Sequence, residues 1–348
     1  MALAKTTRPT SVAAILRPRL FKRLDHLQRR ATWVWSPPGA GKTVLIASYL
    51  ATRKLNHLWF QVDEGDSDLS SFFYFLGVAA PKRRRPMPLL TPEFRQNVGI
   101  FTRNFFRELY GRLKTPFVIV FDDYQEVPVE AELNQIMPVV LAELPGQGRA
   151  IFLSRNEPPP SFAKLRADQA VELLDYSEIR FTEPEAAGLI QKLSPGKWSK
   201  SKITELYKHS DGWAVGLVLL LEQLRTESRG LPQKQISQVL FDYFADEIFS
   251  KADAKTKDVL LQTAYLPQVS VELAERLTGQ SEAGHVLATQ HKRNYFTYLR
   301  RGPEPTYEYH PLFREFFLAQ AERQYSLERL TEIRLEAAKL LESIRTRY

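Results

Sequence analysis

One octet constrains this chain more than any other stretch: Ser36-Pro37-Pro38-Gly39-Ala40-Gly41-Lys42-Thr43. It follows an apolar run, Ala31 to Trp35, that reads as a buried strand. It precedes Val44 to Leu50, which reads as a helix with one apolar face. Strand, small-residue loop, Gly-Lys-Thr and helix are the context a phosphate-binding loop needs. Such a loop wraps phosphates with backbone N–H groups, and the helix N-terminus adds the positive end of its dipole. Lys42 is expected to reach the β- and γ-phosphates of ATP, and Thr43 to place its hydroxyl on Mg²⁺. Ser36 stands where the strict pattern has glycine. A small residue still permits the turn, while Gly39 and Gly41 keep the backbone close to the ligand.

Further apolar runs alternate with helical stretches, which is the signature of a parallel sheet. They are His57–Val62, Phe117–Phe121, Ala150–Leu153 and Ala170–Leu174, with helices expected over Leu69–Val78, Phe94–Leu113 and Leu133–Leu144. Ligands collect at the carboxyl ends of such strands, so the polar residues just after each run matter most. Phe117–Phe121 leads into Asp122-Asp123-Tyr124, the form of a Walker B element. Asp122 is expected to hold Mg²⁺ through water, while the loop supplies the nucleotide. Asp123 stands where many ATPases carry a water-activating Glu, and is one methylene shorter. Glu126 is a weaker candidate for that task. Arg155, after Ile151–Leu153, reads either as a γ-phosphate sensor or as an exposed strand cap. The acidic stretch Asp63–Asp68 lacks a Ca²⁺-loop pattern and is expected to cap a helix through Ser67 or Asp68.

At 348 residues and 44% hydrophobic, the chain has room for about two or three domains with sizeable cores. It has no cysteine, so disulfides and thiolate metal sites are excluded. Its six histidines show no metal-ligand spacing. No apolar run approaches membrane-spanning length, and the N-terminus lacks a signal-peptide core; a cytoplasmic protein without membrane contact is expected. Net charge of +8 permits nucleic-acid contact without requiring it. The basic run Lys82–Arg85, fenced by prolines, reads as a solvated loop between helices.

Beyond Tyr176 helical periodicity takes over. Thr182-Glu183-Pro184-Glu185 has the form of a capped helix start, and Asp211-Gly212-Trp213 begins another helix. Ser228–Gln233 is expected to be a linker. From Gln235 come helices near Val239–Phe249, Ala254–Ala264, Val271–Leu277 and Glu282–Gln290, then β-like runs Tyr295–Leu299 and Thr306–His310. A helical cluster closed by a hairpin describes a winged helix. Pro311 to Tyr348 is nearly all helix-forming.

Taken in order, these segments resemble the nucleotide-binding module of the large ATP-dependent LuxR-type regulators related to the maltose-regulon activator, within the STAND class of signal-transduction ATPases. The resemblance runs from Arg17-Pro18-Arg19-Leu20 through Ser36–Thr43, Trp59 and Asp63–Asp68, Asp122-Asp123-Tyr124, Ser154-Arg155, Leu165-Arg166-Ala167 and Arg180-Phe181-Thr182 to Asp211–Leu217 and Tyr309–Phe313. It implies an α/β P-loop NTPase domain (1–176), a small helical domain (177–228), a winged-helix domain (235–318) and a C-terminal helix (319–348) leading towards a sensor region. It implies ATP and ADP with Mg²⁺ as cofactors, and places Arg17 and Ser36 through Val44 on the nucleotide, Thr43 and Asp122 on the metal, and Asp123 and Arg155 in hydrolysis.

By analogy Trp213 packs near the base, where related ATPases often have Pro; a plain core Trp is the other reading. His310 matches a histidine that touches the ADP β-phosphate in related switches, or else packs in a helix-starting turn. The implied function is a transcriptional signal-transduction switch: ADP-locked at rest, opened and self-associated with ATP, and reset by slow hydrolysis. Its signal would enter through a sensor beyond Tyr348, and DNA would be bound by a domain outside this chain. The alternatives are an AAA-type remodelling ATPase, which needs an arginine finger such as Arg166 or Arg180, and a winged-helix DNA-binding protein.

Overall fold

A computed structural model describes residues 4–9, 15–27, 29–227, 238–300, 302 and 304–345. The chain divides into two compact units, Met1–Ile179 and Arg180–Tyr348. The linker expected at Ser228–Gln233 and the domain start at Gln235 lie outside the described residues.

The first unit contains α1 (Pro18–His26), β1 (Ala31–Trp35), α2 (Lys42–Arg53), β2 (Asn56–Gln61), α3 (Leu69–Ala79), α4 (Pro92–Arg95), α5 (Val98–Arg112), β3 (Phe117–Asp122), α6 (Glu132–Ala142), β4 (Gly148–Ser154), α7 (Ala163–Ala167), β5 (Val171–Leu174) and α8 (Tyr176–Ile179). The five strands form one parallel sheet in the order β2-β3-β4-β1-β5. Every expected strand is present, and the single helix expected over Phe94–Leu113 is broken into α4 and α5 near Gln96 and Asn97.

Side chains alternate across a strand, so a sheet covered on both faces needs both registers to be apolar. On β3, Phe117, Ile119 and Phe121 join the core beneath α3, α5 and α6, while Val118 and Val120 join the core beneath α1 and α2. The first core is rich in aromatics: Trp33 stacks on Phe152 at 5.2 Å and meets Tyr124 and Phe162 edge-on. Asp68 does cap α3, accepting from the Ser71 N–H at 3.0 Å.

The second unit contains α9 (Glu183–Leu193), α10 (Lys200–Ser210), α11 (Ala214–Glu227), α12 (Gln238–Phe244) with a π-turn after it, α13 (Ala254–Thr263), β6 (Val269–Ser270), α14 (Val271–Thr278), α15 (Ala283–Lys292), β7 (Thr297–Arg300), β8 (Thr306–Tyr309), α16 (Pro311–Gln324) and α17 (Leu327–Arg345). Thr182 and Glu185 form the expected capping box of α9. The hairpin β7–β8 carries a third strand, giving the antiparallel order β6-β8-β7; a two-residue strand leaves no alternation to read. The segments expected as a small helical domain and a winged helix share this compact unit. Asp211 and Gly212 do not start α11 but turn between α10 and α11, both at positive φ (44° and 74°). A Cβ on Gly212 would stand 2.4 Å from the Phe181 carbonyl oxygen, so that turn requires glycine.

Candidate functional site

The loop between β1 and α2 is built by conformations only glycine adopts cheaply. Gly39 and Gly41 sit at φ of 71° and 87°. Gly41 precedes α2 without a side-chain cap, so the first N–H groups of that helix remain for a ligand. Ser36 is fully buried with its hydroxyl unpartnered, and its N–H donates to the Ser154 carbonyl at 3.2 Å. This bond ties the loop to the end of β4, which lies between β1 and β3.

Lys42 is 9% exposed, and its Nζ donates to the carbonyls of Ser36 at 2.7 Å and Pro37 at 3.3 Å. Burial drives its ammonium down to about 7, and the nearby Arg155 guanidinium pushes the same way. The Asp123 and Asp122 carboxylates oppose this shift without outweighing burial.

The Thr43 hydroxyl donates to Asp122 Oδ1 at 3.1 Å. Asp122, 2% exposed at the end of β3, is pushed up to about 6 by burial and then by Asp123. A hydroxyl and a carboxylate side by side form an all-oxygen pair suited to Mg²⁺, which keeps several waters and is completed by phosphate oxygens. Among the described residues no three His, Cys, Asp or Glu side chains cluster as a self-sufficient metal site.

Asp123 adopts a left-handed backbone (φ 57°) and donates its N–H to Asp122 Oδ1 at 3.0 Å. Its carboxylate is held on both oxygens, by Gln125 Nε2 at 3.0 Å and Gln61 Nε2 at 3.2 Å. Gln125 Oε1 accepts from the Arg155 N–H at 3.0 Å, so one side chain spans the ends of β3 and β4. Neither glutamine stood out in the sequence. Gln61 closes β2 directly opposite Asp122 in register, so the rule that singles out Asp122 would have found it. Glu126 is exposed and lies beside Gln125.

Of the remaining expected residues, Arg17 is buried at the start of α1, Pro37, Pro38 and Ala40 are buried in the loop, and Val44 is half-buried in the first turn of α2. Trp213 and His310 lie in the second unit, both fully buried. The indole stacks on Phe244 at 5.3 Å and meets Phe296 edge-on at 4.7 Å and His310 at 5.9 Å. The imidazole donates from Nε2 to the Ser210 carbonyl at 2.8 Å and accepts the Leu312 N–H on Nδ1 at 3.2 Å. Both ring nitrogens are therefore engaged inside this unit, and a phosphate contact requires Nε2 to leave Ser210.

Comparison with known proteins bears on the fold and on sequence similarity. A family model described as the MalT winged helix domain matches residues 245–329. The HTH-type transcriptional regulator MalT of Vibrio campbellii is 28% identical over 331 residues, covering 90% of this chain and 36% of that protein. MalT of Klebsiella pneumoniae is 27% identical over 355 residues, covering 97% and 38%. The chain thus spans little more than a third of the length of these relatives. A solved Walker-type ATPase of Pyrococcus abyssi superposes with a TM-score of 0.56 at 14% identity, over 86% of this chain and 93% of that one. The chain is MalT-like in sequence, with a P-loop ATPase fold and a MalT-type winged helix. Among the described residues no helix is long and apolar enough to cross a membrane.

Proposed function

We propose that this chain is the ATP- and ADP-binding switch module of a MalT-like transcriptional regulator. The observation that carries the reading is the convergence of Lys42, Thr43, Asp122 and Arg155 on one glycine-shaped loop. Lys42 exchanges its two carbonyl partners for phosphate oxygens, the first N–H groups of α2 bind the same phosphates, and Thr43 and Asp122 hold Mg²⁺. The metal, when bound, neutralises charge on the phosphates.

Hydrolysis in this reading is slow. Asp123 is a short carboxylate with both oxygens occupied by glutamine amides, which makes it a poor acceptor for a proton from water. Such a site keeps a nucleotide state long enough to act as a timer. ADP favours a closed resting form, while ATP favours an open, self-associating one. Each nucleotide must bind one form better than the other for this to work. The inducing signal and DNA would act through parts of the protein beyond this chain, in the cytoplasm.

The test is the nucleotide content and turnover of purified protein, with and without DNA. Co-purifying ADP and turnover below the common enzyme range of about 1–10³ s⁻¹ support the switch. Fast turnover identifies a remodelling ATPase, and DNA binding without nucleotide affinity identifies a winged-helix DNA-binding protein.

A further inference from the structure

At the end of the sheet opposite the phosphate-binding loop, a cavity of about 490 Å³ opens at the amino ends of β1, β3 and β4. Its floor is one face of the sheet. Register pairs Thr32 with Ile151 and Val118 with Arg149, and all four line it. Leu27 after α1, Tyr49 of α2 and Leu55 before β2 form walls. The volume falls within the roughly 300–1,000 Å³ of small-ligand sites.

Two polar side chains in this chamber of mixed polar and apolar lining have unspent capacity. Arg149 is half-buried and donates from Nη1 to the Leu27 carbonyl at 2.6 Å; among the described residues no carboxylate lies within ion-pair distance of it. Thr32 is 6% exposed, and its hydroxyl has no hydrogen-bond partner among the described residues. The acid in the wall, Asp25, is already held by Arg53 at 2.5 Å and by the Tyr49 hydroxyl at 3.1 Å. A guanidinium withdrawn from water beside apolar walls favours a counter-charge. Its planar fork matches a carboxylate, and Thr32 is its diagonal neighbour across the β1–β4 pair.

We propose that this cavity is a binding site for a small organic acid with an apolar body. The carboxylate accepts from Arg149 and from the Thr32 hydroxyl, and the body packs against Leu27, Val118 and Ile151. The site is independent of the nucleotide reading, because it uses the amino ends of the strands rather than their carboxyl ends.

Titration of the nucleotide-free protein with phenylacetate, followed by calorimetry and protein NMR, tests this. One-site binding is expected, with phenylacetamide and phenethylamine weaker by about tenfold or more, a difference of 1.4 kcal/mol. Arg149→Gln should weaken phenylacetate about tenfold, Thr32→Val by a smaller factor, and Leu55→Trp, which enlarges a wall side chain, should abolish binding. Circular dichroism verifies each fold, and Leu55→Trp carries the test if Arg149→Gln unfolds. Absence of saturation by about 10 mM, well beyond the 1 mM that about 4.1 kcal/mol supports, overturns the site. So does equal affinity for the amide, or unchanged binding by folded Arg149→Gln and Leu55→Trp.

Discussion

At the scale of one residue, the surroundings of Lys42 support the proposed phosphate contact. An ammonium that is nearly buried, repelled by Arg155 and hydrogen-bonded to two carbonyls is in a poor environment for its charge, even with Asp123 and Asp122 favouring it. Phosphate oxygens improve it, so most of the affinity should depend on this side chain. Lys42→Ala is expected to keep the fold and lower ATP and ADP affinity about 100-fold, since charged hydrogen bonds contribute about 1.5–3 kcal/mol each. Calorimetry giving unchanged affinity would refute the assignment. The two acids divide differently. Asp122 accepts from the Thr43 hydroxyl, whereas the Asp123 carboxylate accepts from the amides of Gln61 and Gln125. Asp122→Asn should therefore weaken Mg²⁺-dependent nucleotide binding, and Asp123→Asn should mainly slow turnover. Equal loss of Mg²⁺ dependence in both variants, with hydrolysis intact, would show that the division is wrong. The octet and the Asp pair were legible because strand, loop and helix leave a local pattern. Gln125 was not, because its value lies in joining two strand ends that are distant in sequence.

Elements show the same boundary between local and long-range information. The five strands of the first unit were visible as β-branched and aromatic runs, but the place of β4 between β1 and β3 depends on non-local pairing. His310 is the clearest case in the second unit. The turn Tyr309-His310-Pro311 fits a phosphate contact or a helix start equally well in sequence, and the structure uses it as the cap of α16 and as a bond to the end of α10. Burial drives its imidazole down to about 4, with His209 and Arg180 adding to the effect, while the Ser210 carbonyl opposes it. A histidine depressed in the folded state binds more protons when unfolded, so stability falls as pH drops from about 6.5 to 4, by on the order of 3 kcal/mol. His209 acts in the opposite sense, because the Glu315 carboxylate raises it and favours the folded state at low pH. Comparing wild type with His310→Ala separates the two. The variant should be about 2–5 kcal/mol less stable at pH 7, with a cavity and two unpaired backbone groups, and its deficit should shrink towards pH 4. Urea unfolding at several pH values measures this, and a deficit independent of pH would contradict the buried neutral imidazole.

At the scale of the whole molecule the open question is whether the two compact units respond to nucleotide together. The residues proposed to bind phosphate lie in the first unit, and Trp213 and His310 in the second. Ligand binding stabilises whatever folds around the ligand, by about 2.7 kcal/mol at a hundred times Kd. A passive binding site would confine that gain to the first unit. A switch would extend it to the second, and only for the nucleotide that favours the closed form. Amide hydrogen exchange reads both units in one experiment, since local opening is reported segment by segment. With either nucleotide, exchange in α2 should slow. With ADP, α10 and the first turn of α16 should also slow, by about 5–150-fold for a coupling of 1–3 kcal/mol; with a non-hydrolysable ATP analogue they should not. His310→Ala should reduce the response of α10 and α16 while leaving that of α2 intact, because its bond to Ser210 joins those two helices. Identical exchange in α10 and α16 with and without ADP would leave a nucleotide-binding protein whose second unit takes no part in the response.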